Sequence, residues 1–180
     1  MITARPQKRQ PKQPTKNRLR NIALYYLERF ESSEDMLRQV LQRRIDKYAF
    51  ANKDYDPEQA FLWAEEVIDE CIKKNFINNE RFAELKIKDY LKAGKPRRYI
   101  EQKMRQKGID DKITAKFFEE TEYSEDDAAF NFAQKKRIGC FRPDEEQRKE
   151  KRQKDMGTLL RAGFDYEAVL KVLDAETGDN

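Results

Sequence analysis

The chain has no histidine and only two cysteines, Cys71 and Cys140, in 180 residues. Zinc sites built on His and Cys, a His general base and a Cys-His nucleophile pair are therefore out of reach. Two thiols make no disulfide framework. No apolar leader opens the sequence, and no apolar run approaches the roughly 20 residues that span a bilayer, so the expectation is a reduced, cytoplasmic protein without membrane contact. Glycine and proline are scarce, six of each, and three of the prolines precede residue 15. With 40% of the residues charged, so few turn formers favour long solvated helices over a turn-rich β fold, and the predicted class is all-α.

Phosphate-loop glycines are missing as well. Ala93-Gly94-Lys95 lacks a second glycine and the Ser or Thr that would follow the lysine. The carboxylate pairs Glu65-Glu66, Glu119-Glu120 and Asp126-Asp127 lie in charged surroundings, with no apolar pocket to raise one pKa for acid catalysis. They read as solvated faces. The sequence therefore argues against an enzyme, and no cofactor or metal is expected.

What is present suffices for a core: 38% of the residues are hydrophobic, including one Trp, eight Tyr and eleven Phe. The net charge of +4 is unevenly placed. Residues 1–20 hold seven of the 38 Lys and Arg and none of the acids, leaving 31 bases against 34 acids in the remainder. A Pro-rich cationic arm over residues 1–18 buries too little to offset its ordering entropy, and it is predicted to be disordered; a solubilising tail and a nucleic-acid contact are both open readings.

Helical period starts at Leu19 and runs through Ile22, Ala23, Tyr26, Leu27 and Phe30. Ser32 or Ser33 caps a second helix with Leu37, Val40, Leu41, Ile45 and Tyr48 on its inner face, and Asp56-Pro57-Glu58 starts a third along Ala60, Ala64, Val67, Ile68 and Cys71. Asn75 suits a left-handed stop, after which Asn78 or Asn79 caps a fourth helix carrying Phe82, Ala83, Ile87, Tyr90 and Leu91. Pro96 opens a fifth, with Ile100 and Met104 inward and Arg98 and Arg105 on the opposite face. Gly108 stops it, and Asp110 caps a sixth with Ile113, Phe117 and Phe118. A seventh follows Ser124, residues 138–144 read as a loop, and a charged helix from about Glu145 to Ala162 has apolar period only near its end.

An internal repeat emerges from this order. MRQKGIDDKITAKFF at 104–118 aligns without gaps on LLRAGFDYEAVLKVL at 159–173, matching Gly108 to Gly163 and Asp110 to Asp165. Each segment is an apolar helix end, a stop glycine, an apolar residue, an Asp cap and a second apolar helix. The predicted divisions are a basic arm at 1–18, helical repeats at 19–77, 78–122 and 123–175, and a disordered tail at 176–180.

One charge run stands out. Lys86 to Lys107 carries nine bases against two acids, Asp89 and Glu101. Lys88, Lys92, Lys95, Arg97, Arg98 and Arg105 are the candidate contact residues for nucleic-acid phosphates or an acidic protein groove; the alternative is the solvated side of two amphipathic helices. A second group, Lys135 to Lys154, is diluted by Asp144, Glu145, Glu146 and Glu150. Within it Phe141 beside Arg142 offers a stacking surface, as Tyr99 beside Arg98 does in the first.

Three separated motifs resemble the RecX family of regulators of the RecA recombinase: NFINNERFAE, KPRRYIEQKMRQKGID and the terminal LLRAGFDYEAVLKVLD. The resemblance covers about Arg20 to Asp174. It departs at Asn75, where the family often has glycine, at Asn78-Asn79, which replaces an acidic pair, and in long inserts at 46–56 and 139–147. It implies an elongated all-α protein of three tandem three-helix repeats. It further implies a monomer that binds the RecA filament on single-stranded DNA, with single- or double-stranded DNA as a further partner, and inhibits ATPase, strand-exchange and coprotease activities. A nucleic-acid-binding helical module acting independently of RecA is the alternative reading.

Overall fold

The computed structural model describes residues 10–175, and among them every regular element is helical. The described residues form nine α-helices, and the chain divides after Phe82 into two compact units. Residues 1–9 and 176–180, parts of the predicted arm and the whole predicted tail, lie outside the described residues.

In the first unit α1 spans Lys16–Leu27, α2 Glu34–Ala51 and α3 Glu58–Lys73. The predicted arm extends too far: Thr15 accepts a hydrogen bond from the Arg18 N–H as the N-cap of α1, and Pro14 is already buried. Residues 16–18 belong to the helix because capping satisfies donors that a purely compositional reading of the arm ignores. The predicted apolar stripes meet in one core of Leu19, Ala23, Leu37, Leu41, Ile45, Ala64, Val67, Ile68 and Cys71, closed by Ile77. Each fully buried Leu or Ile there contributes about 1.5–3 kcal/mol. Phe76 beside Ile77 is exposed instead. Arg20 grips Glu70 through two hydrogen bonds of 2.9 and 2.8 Å, and this bond lowers the Glu70 pKa to about 2.

The two asparagines that replace an acidic pair still cap helices. Asn78 accepts from the Arg81 N–H at 3.0 Å, and Asn79 accepts from the Glu34 N–H at 3.0 Å at the start of α2. Arg81 in turn donates to Glu31 at 2.8 Å and reaches the carbonyls of Asn75 and Phe76.

Helix α4, Asn79–Lys92, begins in the first unit and continues into the second, which also holds α5 Arg97–Arg105, α6 Asp111–Glu120, α7 Glu125–Lys136, α8 Glu145–Ala162 and α9 Tyr166–Asp174. The two copies of the sequence repeat end their first helix in the same way. Gly108 and Gly163 take φ of +71° and +106°, the N–H of Ile109 returns to the Met104 carbonyl, and that of Phe164 returns to the Leu159 carbonyl. Ile109 and Phe164 are buried behind the turn, and Asp110 and Asp165 cap the following helix. This pattern of left-handed residue and returning N–H is a Schellman stop.

The predicted loop at 138–144 is instead a structural clasp. Gly139–Phe141 form one 3-10 turn, and Ile138, Gly139 and Cys140 are buried with Ala129, Ala133, Leu159, Val169 and Val172. Asp155 on α8, 1% exposed, accepts from the Gly139 N–H at 2.9 Å and from Arg142 at 2.6 and 2.7 Å. Burial of the Asp155 carboxyl favours its neutral form, but these donors outweigh burial and hold its pKa below the ordinary 3.8. No helix among the described residues is long and apolar enough to cross a membrane.

Candidate partner-binding surface

The six candidate residues occupy α4, α5 and the connection between them. Gly94, at φ +70°, stops α4 with the Lys95 N–H returning to the Tyr90 carbonyl, and Pro96 then sets the start of α5. Inward-facing Ile87, Ile100 and Met104 are fully buried, which turns Lys88, Lys92, Arg97, Arg98 and Arg105 to solvent. Lys95 is half-buried.

The six are not equivalent in charge. Lys88 pairs with Glu84 at 2.5 Å, Arg97 with Glu101 at 2.8 Å and Arg105 with Asp111 at 2.7 Å. All three bridges lie in solvent, where such pairs contribute about 0–1 kcal/mol and yield readily to a competing anion. Lys92 and Arg98 have no carboxylate partner among the described residues. The ammonium of Lys95 sits 5.0 Å from the centre of the Tyr99 ring, and Lys103 approaches the same ring at 5.6 Å. Tyr99 also meets the edge of Tyr90, so its ring is held between two cations and another aromatic. It covers the boundary of the core and is not splayed into solvent as a stacking platform.

Lys92 and Lys95 line a space of about 450 Å³ with Gly94, Asp127, Asn131 and Lys135. Lys135 belongs to the second basic group and was not among the six; its ammonium approaches within 3.7 Å of where a Cβ on Gly94 would stand. Nothing in linear spacing joins residue 135 to residue 94. Tyr123 escaped sequence reading for the same reason. Its hydroxyl accepts from the Arg97 N–H at 3.0 Å and donates to Glu125 at 2.5 Å, pinning the start of α5. Burial and the Glu125 charge both raise the Tyr123 pKa.

Three arginines of the second basic group bond within the fold. Arg142 is bound to Asp155, Arg148 donates twice to the Arg142 carbonyl at 3.1 Å, and Arg152 bridges Asp174 at 2.6 Å. Phe141 packs edge-on against Phe130 at the edge of the core, and Arg142 is held by Asp155, so neither offers the stacking surface expected from sequence.

Residues 78–116, which contain all six candidates, match the family described as RecX, second three-helix domain. The chain is 35% identical over 172 residues to the "Regulatory protein RecX" of Myxococcus xanthus (strain DK1622), covering 93% of this chain and 91% of that one. It is 28% identical over 159 residues to the protein of the same name from Agrobacterium fabrum, covering 88% and 83% of the two chains. Its fold resembles the crystal structure of RecX from Lactobacillus salivarius at a TM-score of 0.61 and 22% identity, over 88% of this chain and 96% of the other.

Proposed function

The chain belongs to the RecX family, and from that premise we propose that it is a regulator that binds the RecA recombinase filament on single-stranded DNA and lowers its ATPase, strand-exchange and coprotease activities. The observation that carries this reading is the exposed cationic surface of α4 and α5, where Lys92 and Arg98 have no carboxylate partner and three neighbours hold only solvent-exposed ones. It falls within the residues that match the family's second three-helix domain.

Regulation of this kind is differential binding and needs no catalytic group. A chain that binds the inactive or disassembling filament more tightly than the active one shifts the balance between them by that difference, about tenfold for every 1.4 kcal/mol. The mobile counterions of a filament carrying DNA favour docking of an exposed cationic face at low salt.

The test is to add the purified chain to RecA on single-stranded DNA and follow ATP hydrolysis, measuring DNA binding by the chain alone in parallel. Hydrolysis is expected to fall at chain concentrations well below those needed for DNA binding. Hydrolysis unchanged at concentrations where the chain coats the DNA would instead support a nucleic-acid-binding module acting without the recombinase.

A further inference from the structure

We propose that a second cationic site, a cleft in the first unit between residues 10–14, α1 and α2, binds the sugar-phosphate backbone of single-stranded nucleic acid. Lys12, Arg18, Arg44 and Lys47 line a cleft of about 460 Å³ together with Gln10, Pro11, Pro14 and Ile22. No carboxylate lines it, and none of the four cations forms a salt bridge among the described residues. This differs from the α4–α5 surface, where Lys86, Lys88, Arg97 and Arg105 each have a carboxylate within reach.

The fold assembles this site from residues far apart in sequence. Leu19 and Ala23 of α1 pack in the same core as Leu41 and Ile45 of α2. That packing leaves Arg18 and Ile22, one turn apart on α1, on one side of the cleft, and Arg44 and Lys47, one turn apart on α2, on the other. Residues 10–14 complete it as a non-helical segment in which Pro11 and Pro14 restrict the backbone. Thr15 caps α1, whose first turn contains no acid of its own; the nearest carboxylates, Glu66 and Glu70, bridge Lys16 and Arg20 and do not line the cleft. In sequence, Arg5, Lys8 and Arg9 precede Gln10 without an intervening acid.

Four uncompensated cations across a cleft of this size suit a chain of phosphates better than one small anion. Two exposed rings select the single-stranded form. Phe50, 79% exposed, lies three residues beyond Lys47 on α2, with the Lys53 ammonium 4.6 Å from its ring centre. Tyr25, 57% exposed, lies three residues beyond Ile22 on α1, with the Arg29 guanidinium 4.1 Å from its ring centre. One exposed ring on a surface means little. Two that follow cleft-lining residues at helical spacing and carry a cation each provide the combination used to bind unpaired bases, a phosphate track with stacking faces. A duplex keeps its bases stacked inside and could use only the phosphate half of this arrangement.

This inference does not depend on the RecA reading, because its readout is binding of nucleic acid by the chain alone. The experiment is fluorescence anisotropy with a labelled oligothymidine of about 20 nucleotides, longer than the usual site for one such module. The full chain is compared with Arg44→Glu/Lys47→Glu and with Phe50→Ala; all three altered side chains are exposed, and circular dichroism and Tm check the fold. The charge reversal is expected to weaken binding at least tenfold. It should also flatten the plot of log affinity against log salt by about 1.4, the contribution of two single-strand phosphates at about 0.7 each. Phe50→Ala should weaken oligothymidine binding about fivefold and leave binding of a duplex of equal length within twofold.

Unchanged affinity in a folded Arg44→Glu/Lys47→Glu chain would overturn the site. Tighter binding of a polyglutamate peptide than of oligothymidine at equal salt would overturn it in favour of an acidic protein partner. Duplex bound as tightly as single strand would overturn the single-strand assignment. A chain that binds oligothymidine through this cleft yet leaves RecA hydrolysis unaltered would overturn the proposed regulatory function and leave this inference standing.

Discussion

The two basic stretches of the second unit, Lys86–Lys107 and Lys135–Lys154, look alike as sequence and do different work in the fold. Salt bridges form in both, so pairing does not separate them. Depth does. Arg142 meets Asp155 with the two side chains 17% and 2% exposed, whereas Arg105 and Asp111 are 59% and 64% exposed. Removing one partner of a buried pair strands a charge in a low-dielectric interior, while an exposed partner returns to water at little cost. The second stretch therefore supports the fold through Arg142, whereas Lys88, Lys92, Arg97, Arg98 and Arg105 of the first are exposed.

Breaking the buried pair gives the largest expected effect. Asp155→Asn removes the charge that Arg142 and the Gly139 N–H both address. It should lower stability by about 3 kcal/mol, measured by urea denaturation at neutral pH. The pH dependence follows in sign. The Asp155 pKa is lowered in the folded state, so its contribution is fully present above the ordinary 3.8 and is lost as pH falls through the lower folded value. Wild type should thus lose its advantage over Asp155→Asn progressively on acidification below about pH 4, and an advantage independent of pH would refute the charge-based account.

The next effect is steric and falls in the same clasp. Gly139 holds φ +61°, and an added Cβ would stand 2.9 Å from Val172 Cγ1 and 3.1 Å from the Val172 carbonyl. Both the backbone and the packing oppose a side chain there, and Gly139→Ala should cost about 2 kcal/mol by the same denaturation measurement. A change near zero would show that the 138–144 segment is looser than a clasp and closer to the loop its sequence suggests.

That segment marks where sequence reading gives out. Helix stripes, caps and stops were legible because they depend on residues within about four positions of one another. Leu19-Ala23, Ser33, Gly108-Asp110 and Gly163-Asp165 all behave as their spacing implies. Asp155 reads locally as one more acid on a charged helix, and nothing near it announces a bond to Arg142 or Gly139. The same holds for the candidate site. Burial of Ile100 and Met104 correctly implied that Arg98 and Arg105 face solvent, but which cations keep a carboxylate and which meet Lys135 across a cleft depends on tertiary packing. Arg137, left-handed at φ 53°, was invisible for the opposite reason: local preference argues against an arginine there, and the returning Ile138 N–H to the Ala133 carbonyl overrides it.

A smaller effect probes how the first stretch is held. Tyr123→Phe deletes the acceptor for the Arg97 N–H and the donor to Glu125 while keeping the ring packed edge-on against Phe118. About 1 kcal/mol of stability should be lost, since one backbone donor at the start of α5 must find water instead. Hydrogen exchange of the Arg97 amide is the sharper measurement: it should accelerate in Tyr123→Phe, and unchanged protection would mean that Pro96 and the Arg97-Glu101 pair alone fix the helix start.

The smallest effect on stability is expected where the effect on function is expected to be largest. Lys92→Glu/Arg98→Glu alters two exposed side chains without a carboxylate partner, so the unfolding free energy from urea denaturation should change by no more than about 0.5 kcal/mol. Lys88→Glu/Arg105→Glu changes the net charge equally but also leaves Glu84 and Asp111 facing new like charges, which costs a little more stability. If unpaired cations make the contact, the first variant should raise the concentration needed to inhibit RecA ATP hydrolysis at least tenfold, and more than the second does. Equal losses in the two variants would point instead to the summed potential of α4 and α5, in which case an exposed salt bridge conceals no charge from an approaching filament and the pairing pattern carries no information about the contact.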